Sequence, residues 1–415
     1  MIEIENRRRL SLEEIVSIMK RRGFVFQSSE IYGGLAGFWD YGHLGLLLKN
    51  KIKQVWWDNF VLSRDDIYGI ESSIIMHPQV WESSGHTGAG FTDPMIEDLV
   101  NGKRYRADSF LEQHGFDVTG LSLSDIDNII EENKILSTDK NKLSKARHFN
   151  MMLETKVGAS SGSLAYLRPE TAQGMFVNFK NIVDSYYPDL PFGIAQIGRF
   201  FRNEISPRDF LFRVREFDIM EIEYFIRPSN WEQYFEEWLK SMQAWIKDIG
   251  IDENLVSRLE VSEGDRAHYS KRTVDFEFEF PFGRKELYGL AYRTDHDLKG
   301  HQEGSKVSLE YVDKNTKEKV LAHCVEPTFG LDRTFFAVIY SNLYLETIID
   351  GENRSERLVL SLPESLSPYR YAVAPLLKNK PELVSKAKDV FKKLKAKHLY
   401  VNYEDSGNIG KFYRK

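Results

Sequence analysis

The chain has 415 residues, enough for two or three domains, and its 42% apolar and 28% charged content is that of a soluble globular protein. A single cysteine, Cys324, excludes a disulfide framework and a cysteine-based zinc site within one chain. The polar start with Arg7-Arg8-Arg9 and the lack of a long apolar run argue against a secretion signal or membrane span and predict a cytoplasmic protein. The net charge of −6 does not itself suggest nucleic acid, yet residues 366–415 carry 12 Lys/Arg against 4 Asp/Glu. That basic end suits either a nucleic-acid-contacting appendage or one solvated lysine-rich helix.

In chain order, Ser11-Leu12-Glu13-Glu14 reads as a capping box opening a helix with Ile15, Val16, Ile18 and Met19 apolar, closed by Gly23. Four glycines over 28–42 predict turns and close backbone approach, at spacings unlike a dinucleotide-binding fingerprint. A helix over 46–62 exposes Lys49, Lys51 and Lys53 and offers Val55, Trp56 and Phe60 to the core or a subunit interface, core being the default. His77, His86 and Asp93 fit no compact metal motif. Residues 110–148 read as a surface insertion with one helix, Ser124 to Glu132.

Leu167-Arg168-Pro169-Glu170-Thr171-Ala172-Gln173-Gly174 opens a further helix, with Pro169 just inside its start and Glu170 placed to complement the macrodipole. Ser229 and Glu232 predict a capping box for a helix over 229–250 whose aromatic residues are core. Residues 273–280 alternate as a strand with four apolar side chains inward and Asp275, Glu277 and Glu279 outward, facing water. Strands are also expected over 286–291 and 306–312. Glu326 to Arg333 then enters an apolar helix running to about residue 345, with Gly330 and Arg333 where an anion could meet free N–H groups. From Ser361 the order strand, basic helix over 381–397, strand over 399–403 predicts a separate βαβ-type domain.

The chemically richest stretch is Phe201-Arg202-Asn203-Glu204-Ile205-Ser206-Pro207-Arg208, followed by Phe212-Arg213-Val214-Arg215-Glu216-Phe217 and Met220-Glu221. It reads as two strands joined by a tight loop, with Arg202 and Glu204 on one face. Arg215, Phe217, Ile219, Glu221 and Glu223 share a face of the returning strand. Phe217 and Glu221 are then about 13 Å apart, roughly the reach from an adenine ring, across ribose and α-phosphate, to the amino group of an attached amino acid. The other reading is a hairpin with a solvated charged face.

Taken together these segments resemble the class II aminoacyl-tRNA synthetases, and among them the dimeric glycyl-tRNA synthetase family. Arg21-Arg22-Gly23-Phe24 with Gln27 to Gly34 looks like that family's N-terminal signature, and Tyr41 to Trp57 like motif 1. Phe201 to Phe217 resembles motif 2, and Phe329-Gly330-Leu331-Asp332-Arg333 motif 3. Leu167 to Gly174 and Glu326 to Gly330 match the segments that set glycine enzymes apart.

The resemblance implies an α+β fold: a class II catalytic domain over 1–360, its antiparallel sheet flanked by helices, then an α/β anticodon-binding domain over 361–415. It further implies ATP and Mg2+ as cofactors, glycine and tRNA(Gly) as partners, and a homodimer through the motif 1 region. Catalytic roles fall to Arg202 on the α-phosphate, Arg333 on the γ-phosphate and Glu204 at the adenine edge, with Phe217 under the ring. Asn203, the run Phe212-Arg213-Val214-Arg215-Glu216, Glu286-Leu287 and Gly330-Leu331-Asp332 complete the implied ATP site. Glycine would meet Arg106, Glu170, Phe217-Asp218-Ile219-Met220-Glu221 and Glu326-Pro327-Thr328-Phe329-Gly330, with Glu170 and Glu221 on its ammonium. Magnesium is expected near Glu286 and Glu326, and the loop over 205–211 is a contact for the tRNA acceptor end.

Three departures from the family stand out. Thr328 replaces the usual serine. Residues 101–104 and 137–140 hold none of the cysteine pairs of a zinc-binding insertion, so no structural zinc is expected. The family's last domain continues past an element like Ile409 to Arg414, so the sequence is expected to stop about halfway through it. A binding protein that borrowed the fold, like the class II-like accessory subunits of mitochondrial DNA polymerase, would be expected to lose Arg202, Glu204, Phe217 and Arg333, all present here. A class II enzyme for another small amino acid fits less well, because Glu170 and Glu221 argue for glycine.

Overall fold

The computed structural model describes residues 2–88, 91–118, 120–159, 162–264, 266–267, 269–350 and 353–406. After β1 (Ile2–Arg9), α1 (Leu12–Arg21) starts with the expected box: the Ser11 hydroxyl accepts from the Glu14 N–H, and the Glu14 carboxylate accepts from the Ser11 N–H at 2.8 Å. The glycine-rich turn lies between β2 (Val25–Gln27) and β3 (Trp39–Tyr41), with Gly33, Gly34 and Gly37 at positive φ. Helix α2 (His43–Trp57) runs on into a π-turn to Leu62 and buries Trp56 and Phe60, as core. Lys49 departs from expectation. It lies on the buried stripe with Leu48, Ile52 and Trp56, only 4% exposed, because two carboxylates meet it there.

β4 (Ile67–Gly69) and α3 (Pro78–Ser83) lead into the insertion, formed by β5 (Thr92–Glu97), β6 (Arg104–Arg106), α4 (Ala107–Gln113), α5 (Leu123–Glu132) and β7 (Arg147–Asn150). Its small core includes Ile96, Phe110, Leu111, Ile126 and Ile130. Helix α4, only seven residues long, is too short for its apolar period to show in the sequence. Where cysteine pairs might have stood, two loops are held by hydrogen bonds. Buried Asp98 accepts from the Ser137 hydroxyl at 2.5 Å, the Asn141 amide at 3.1 Å and the N–H groups of Val100 and Asn101. Asn101 donates to Asp139 at 2.8 Å.

Burial pushes the Asp98 carboxyl up, and these donors more than offset it, holding it at about 2. A depressed carboxyl contributes stability that is present above its unfolded value of about 3.9 and is lost as pH falls toward 2. Asp98→Ala should therefore lower the melting temperature at pH 7, with the gap from wild type closing between pH 4 and 2. A gap that stays constant across that range would refute the clamp.

β8 (Leu153–Val157) and β9 (Ser163–Leu167) form a hairpin before α6 (Ala172–Tyr186), whose N-cap is Thr171. Pro169 and Glu170 thus precede the helix instead of opening it. After β10 (Phe192–Phe201) and β11 (Glu216–Ile226) comes α7 (Trp231–Asp248). Its expected capping box is absent: a 3-10 turn over Pro228–Asn230 intervenes, and the Ser229 hydroxyl bonds Asn230 at 2.5 Å instead.

The chain continues through β12 (Val256–Glu260), β13 (Arg272–Phe280), β14 (Gly283–Thr294) and α8 (His296–Ser305). Of the strand expected over 306–312 only β15 (Tyr311–Val312) pairs, with β16 (Lys319–Val320). After β17 (His323–Gly330), α9 (Leu331–Asn342) stops short of residue 345 because β18 (Leu343–Asp350) begins there and pairs with β1 and β19 (Asn353–Leu360). Parallel β20 (Tyr371–Val373) and β21 (Val401–Tyr403) around α10 (Pro381–Lys395) give the expected βαβ unit. The Lys51 ammonium lies 3.6 Å from the Tyr400 ring centre, so α2 touches this unit. The element Ile409 to Arg414 lies outside the described residues.

The main sheet has seven strands in the order β12-β13-β14-β17-β11-β10-β4, antiparallel except for β4. Val274, Phe276, Met220, Tyr288 and Phe329 turn one face into the core with α2, α7 and α9. Alternation sends their neighbours to the opposite face, toward α6 and α8.

Candidate active site

On that opposite face one row of directly opposed residues crosses five strands: Gln196, Glu221, Thr328, Gly289 and Asp275. In the next row Gly198, Ile219 and Gly330 stand side by side. At about 4.8 Å per strand, Glu221 and Asp275 are about 14 Å apart. Small residues between them leave a groove with two chemically different ends.

At the Glu221 end the carboxylates are tied, and those of Glu221 and Glu326 are buried. Glu221 accepts from the hydroxyls of Thr171 and, at 3.0 Å, Thr328. Glu170 accepts from the Gln173 amide at 2.7 Å and faces His86 Nε2 at 3.3 Å. Arg293 forks onto Asp297 with two 2.8 Å contacts and reaches Glu326 at 2.8 Å. Burial raises both Glu221 and Glu326, with Arg293 working against it at each. Burial also pushes Glu170 up, yet His86, Arg293 and Gln173 together hold it well below the usual range. The walls are close: a Cβ on Gly174 would sit 2.1 Å from Ser72 Oγ, and one on Gly198 would sit 2.5 Å from Arg168 Nη2. Arg168 itself is fixed by the Arg199 and Ser72 carbonyls at 2.6 and 2.9 Å.

At the other end Arg333 donates to the Glu286 carbonyl at 2.9 Å, meets its carboxylate at 3.1 Å and lies 4.3 Å from the Phe212 ring centre. Asp275, expected to face water, is half-buried on the groove face. Burial, Glu286 and Glu277 push it up to about 7. A Cβ on Gly289 would lie 3.7 Å from an Asp275 oxygen and 3.8 Å from a Glu286 oxygen, so the two carboxylates converge.

Glu286 and Glu326 sit at opposite ends of the groove. Their register partners on adjacent strands place them five residues apart along β14, about 16 Å. One Mg2+ with bonds of about 2.1 Å cannot touch both, and Glu326 is already paired with Arg293, so the two residues do not share one ion. Asp275 and Glu286 offer the hard oxygens that the ion favours.

Arg202 and Glu204 fall beyond the end of β10, in a bend where the Glu204 N–H meets the Arg202 carbonyl at 2.7 Å, not in a continuing strand. Arg202 Nε donates to the Pro169 carbonyl at 3.2 Å, and Phe91, Phe200 and Phe217 surround its guanidinium. Burial raises Glu204, opposed by Arg213 and Arg202. Arg215 donates to the Glu204 carbonyl at 2.8 Å, and the Asn203 N–H to the Met151 carbonyl at 2.8 Å, which shapes the bend. Arg106 pairs with Asp108 at 2.8 Å and Asp93 at 3.3 Å, beside Glu204. In the loop after the bend, Phe210 and Leu211 are buried, Phe210 edge-on to Trp39 at 4.9 Å, so its tip is anchored in the core.

Strand alternation divides the remaining candidates. Phe217, Ile219, Glu221, Thr328 and Gly330 share the groove face, whereas Met220, Leu287, Phe329 and Leu331 are core. The side chains of Asp218 and Asp332 also turn away, toward Lys49 at 2.9 and 2.7 Å. Sequence reasoning missed Thr171, Gln173, His86 and Arg293 as partners of the carboxylates. The Arg293–Asp297 spacing of four residues at a strand-to-helix junction was the available signal.

Residues 156–342 match the family described as the tRNA synthetase class II core domain (G, H, P, S and T). The glycine–tRNA ligase of Geobacillus thermodenitrificans is 43% identical over 98% of this chain and 87% of its own. Those of Deinococcus radiodurans, at 43%, and Thermus thermophilus, at 42%, each align over 98% of this chain and 88% of theirs. With a mixed sheet whose groove holds Arg333 at one end and tied carboxylates at the other, the chain belongs to the glycine–tRNA ligase family of class II synthetases.

Proposed function

We propose that this chain activates glycine with ATP to glycyl-adenylate, releasing pyrophosphate, and then passes the glycyl group to the 3′ end of tRNA(Gly), releasing AMP. The observation that carries this reading is the set Glu170, Glu221, Glu326 and Thr328, of which Glu221 and Glu326 are buried, one groove length from Arg333 and Phe212. Carboxylates largely withdrawn from water favour an ammonium, and Thr171, Thr328 and Gln173 hold them in place. An ammonium fixed there directs glycine's own carboxylate along the row toward the α-phosphate of a nucleotide lying over Phe217. Its oxygen attacks in line, and Arg202 and Arg333 take up charge on the phosphates. Mg2+, held by Glu286 and Asp275, would supply further phosphate neutralisation.

Selectivity follows from the walls. A missing methyl is worth only about 1–3 kcal/mol of binding, so rejection of alanine must come from backing that cannot yield. Gly174 against Ser72 and Gly198 against Arg168 are such contacts. We further assign residues up to 360 to the catalytic domain, the βαβ unit to tRNA contact, and the 41–57 segment to a homodimer interface. Cytoplasmic residence is part of the same reading, and no helix among the described residues is long and apolar enough to cross a membrane. Glycine-dependent ATP–pyrophosphate exchange tests the reading. No exchange from folded protein, or equal exchange with alanine or serine, would overturn it.

A further inference from the structure

Glu223 lies two residues beyond Glu221 on the same face of β11 and is fully buried. One carboxyl oxygen, Oε2, accepts from the Cys324 thiol at 2.8 Å, while Oε1 has no hydrogen-bond partner among the described residues. The polar groups facing it are Glu221 on its own strand, Cys324 and Glu326 on β17, and Arg293 on β14. Ligand-capable oxygens of Glu221, Glu223 and Glu326 lie within 4.8 Å of one another. Elsewhere its surroundings are apolar: Ile194 is directly opposed on β10, and Phe176 on α6 and Leu298 on α8 belong to the core behind it.

Arg293 cannot serve Glu223, since its guanidinium is committed to Asp297 and Glu326. An ionised Glu223 would leave a bare buried oxygen beside two other carboxylates, with only a thiol to hold it. A carboxylic acid removes that conflict, provided its O–H finds an acceptor. Glu326, whose carboxylate Arg293 meets at 2.8 Å and an oxygen of which lies within 4.8 Å of Glu223, is the acceptor within reach.

We propose that Glu223 is a positioning residue of the ammonium pocket: a neutral carboxylic acid that donates its O–H to Glu326 and so fixes the Glu326 carboxylate toward the substrate. Burial and the neighbouring Glu326 push Glu223 well above its ordinary range, in agreement. The role rests on the glycine-activating reading given above.

Infrared difference spectroscopy of the whole chain, wild type against Glu223→Gln, reads the proton directly. The expected result is a protonated-carboxyl C=O band in wild type, sensitive to deuteration and absent from the variant. Kinetics read the positioning. Glu223→Met, which keeps the volume but has no donor, should raise the glycine KM about tenfold while leaving the ATP KM alone. Glu223→Gln, a neutral donor of the same shape, should bring it back to within about threefold of wild type.

The proposal is overturned if no such band depends on Glu223. It is equally overturned if Glu223→Gln loses glycine-dependent exchange as heavily as Glu221→Gln, which would make Glu223 an ionised ligand. Should Glu223→Met fail to fold, the band and the Gln variant still decide. Failure of wild type to exchange with glycine would count against the activity alone, because the band reports the proton independently of turnover.

Discussion

Arg202→Ala is expected to cut glycine-dependent pyrophosphate exchange by about 10²–10³-fold while leaving thermal unfolding unchanged, since one preorganised charge at a reacting centre is worth about that much. The guanidinium makes one described side-chain hydrogen bond, to the Pro169 carbonyl at 3.2 Å, and no ion pair among the described residues. Three aromatic rings set its plane, with Phe91 and Phe200 centres at 5.7 and 5.3 Å. Its charge is thus oriented but uncommitted, the condition under which a cation is free for a phosphate. Arg333 differs, being already paired with Glu286 at 3.1 Å, so a nucleotide must compete for it. Arg202→Lys should recover only part of the loss, because an ammonium cannot present the planar fork. Exchange by Arg202→Ala within threefold of wild type would remove Arg202 from the assigned role.

How much of this was legible beforehand depended on whether the signal was local. The alternation of residues 273–280 and of 217–223 follows from a period of two, and both strands form with the expected faces. What alternation could not tell is which face meets water. Asp275 ends half-buried on the groove face, with the carboxylates of Glu286 and Glu277 beside it. Lys49 is the same case on a helix. Its position on the buried stripe was countable, but its partners sit 169 and 283 positions away, on Asp218 and Asp332, and no window of sequence joins them. Local boundary signals failed where a stronger neighbour prevailed: the 228–230 turn displaced the Ser229 cap, and pairing with β1 and β19 turned residues 343–345 from helix to strand. Site residues quoted by motif came as whole runs, and only the pleat separates Glu221 and Thr328 from Met220 and Phe329.

Lys49→Met should destabilise the fold by about 3–5 kcal/mol, the usual cost of removing one partner from a buried ion pair. The Lys49 ammonium lies 2.9 Å from Asp218 and 2.7 Å from Asp332, with all three groups at least nine-tenths buried. Asp332 also accepts from the Tyr41 hydroxyl and, at 2.7 Å, from the Asp218 N–H. Lys53 at 3.3 Å and Arg199 at 3.1 Å are left to serve Asp218, but Asp332 keeps no cation among the described residues. Burial works against ionisation of Asp218, and Lys49, Lys53 and Arg199 overcome it, so loss of Lys49 sets two carboxylates against each other. Asp218 is adjacent to Phe217 and Asp332 to Arg333, so the lysine also sets the spacing between the two ends of the nucleotide track from behind the sheet. Pyrophosphate exchange should therefore fall along with stability. Adding Asp332→Asn to Lys49→Met should recover part of the stability, because the amide still accepts from Tyr41 without the stranded charge. Urea unfolding checks both variants: a cost below about 1 kcal/mol for Lys49→Met would match an exposed pair and rule out the buried tie.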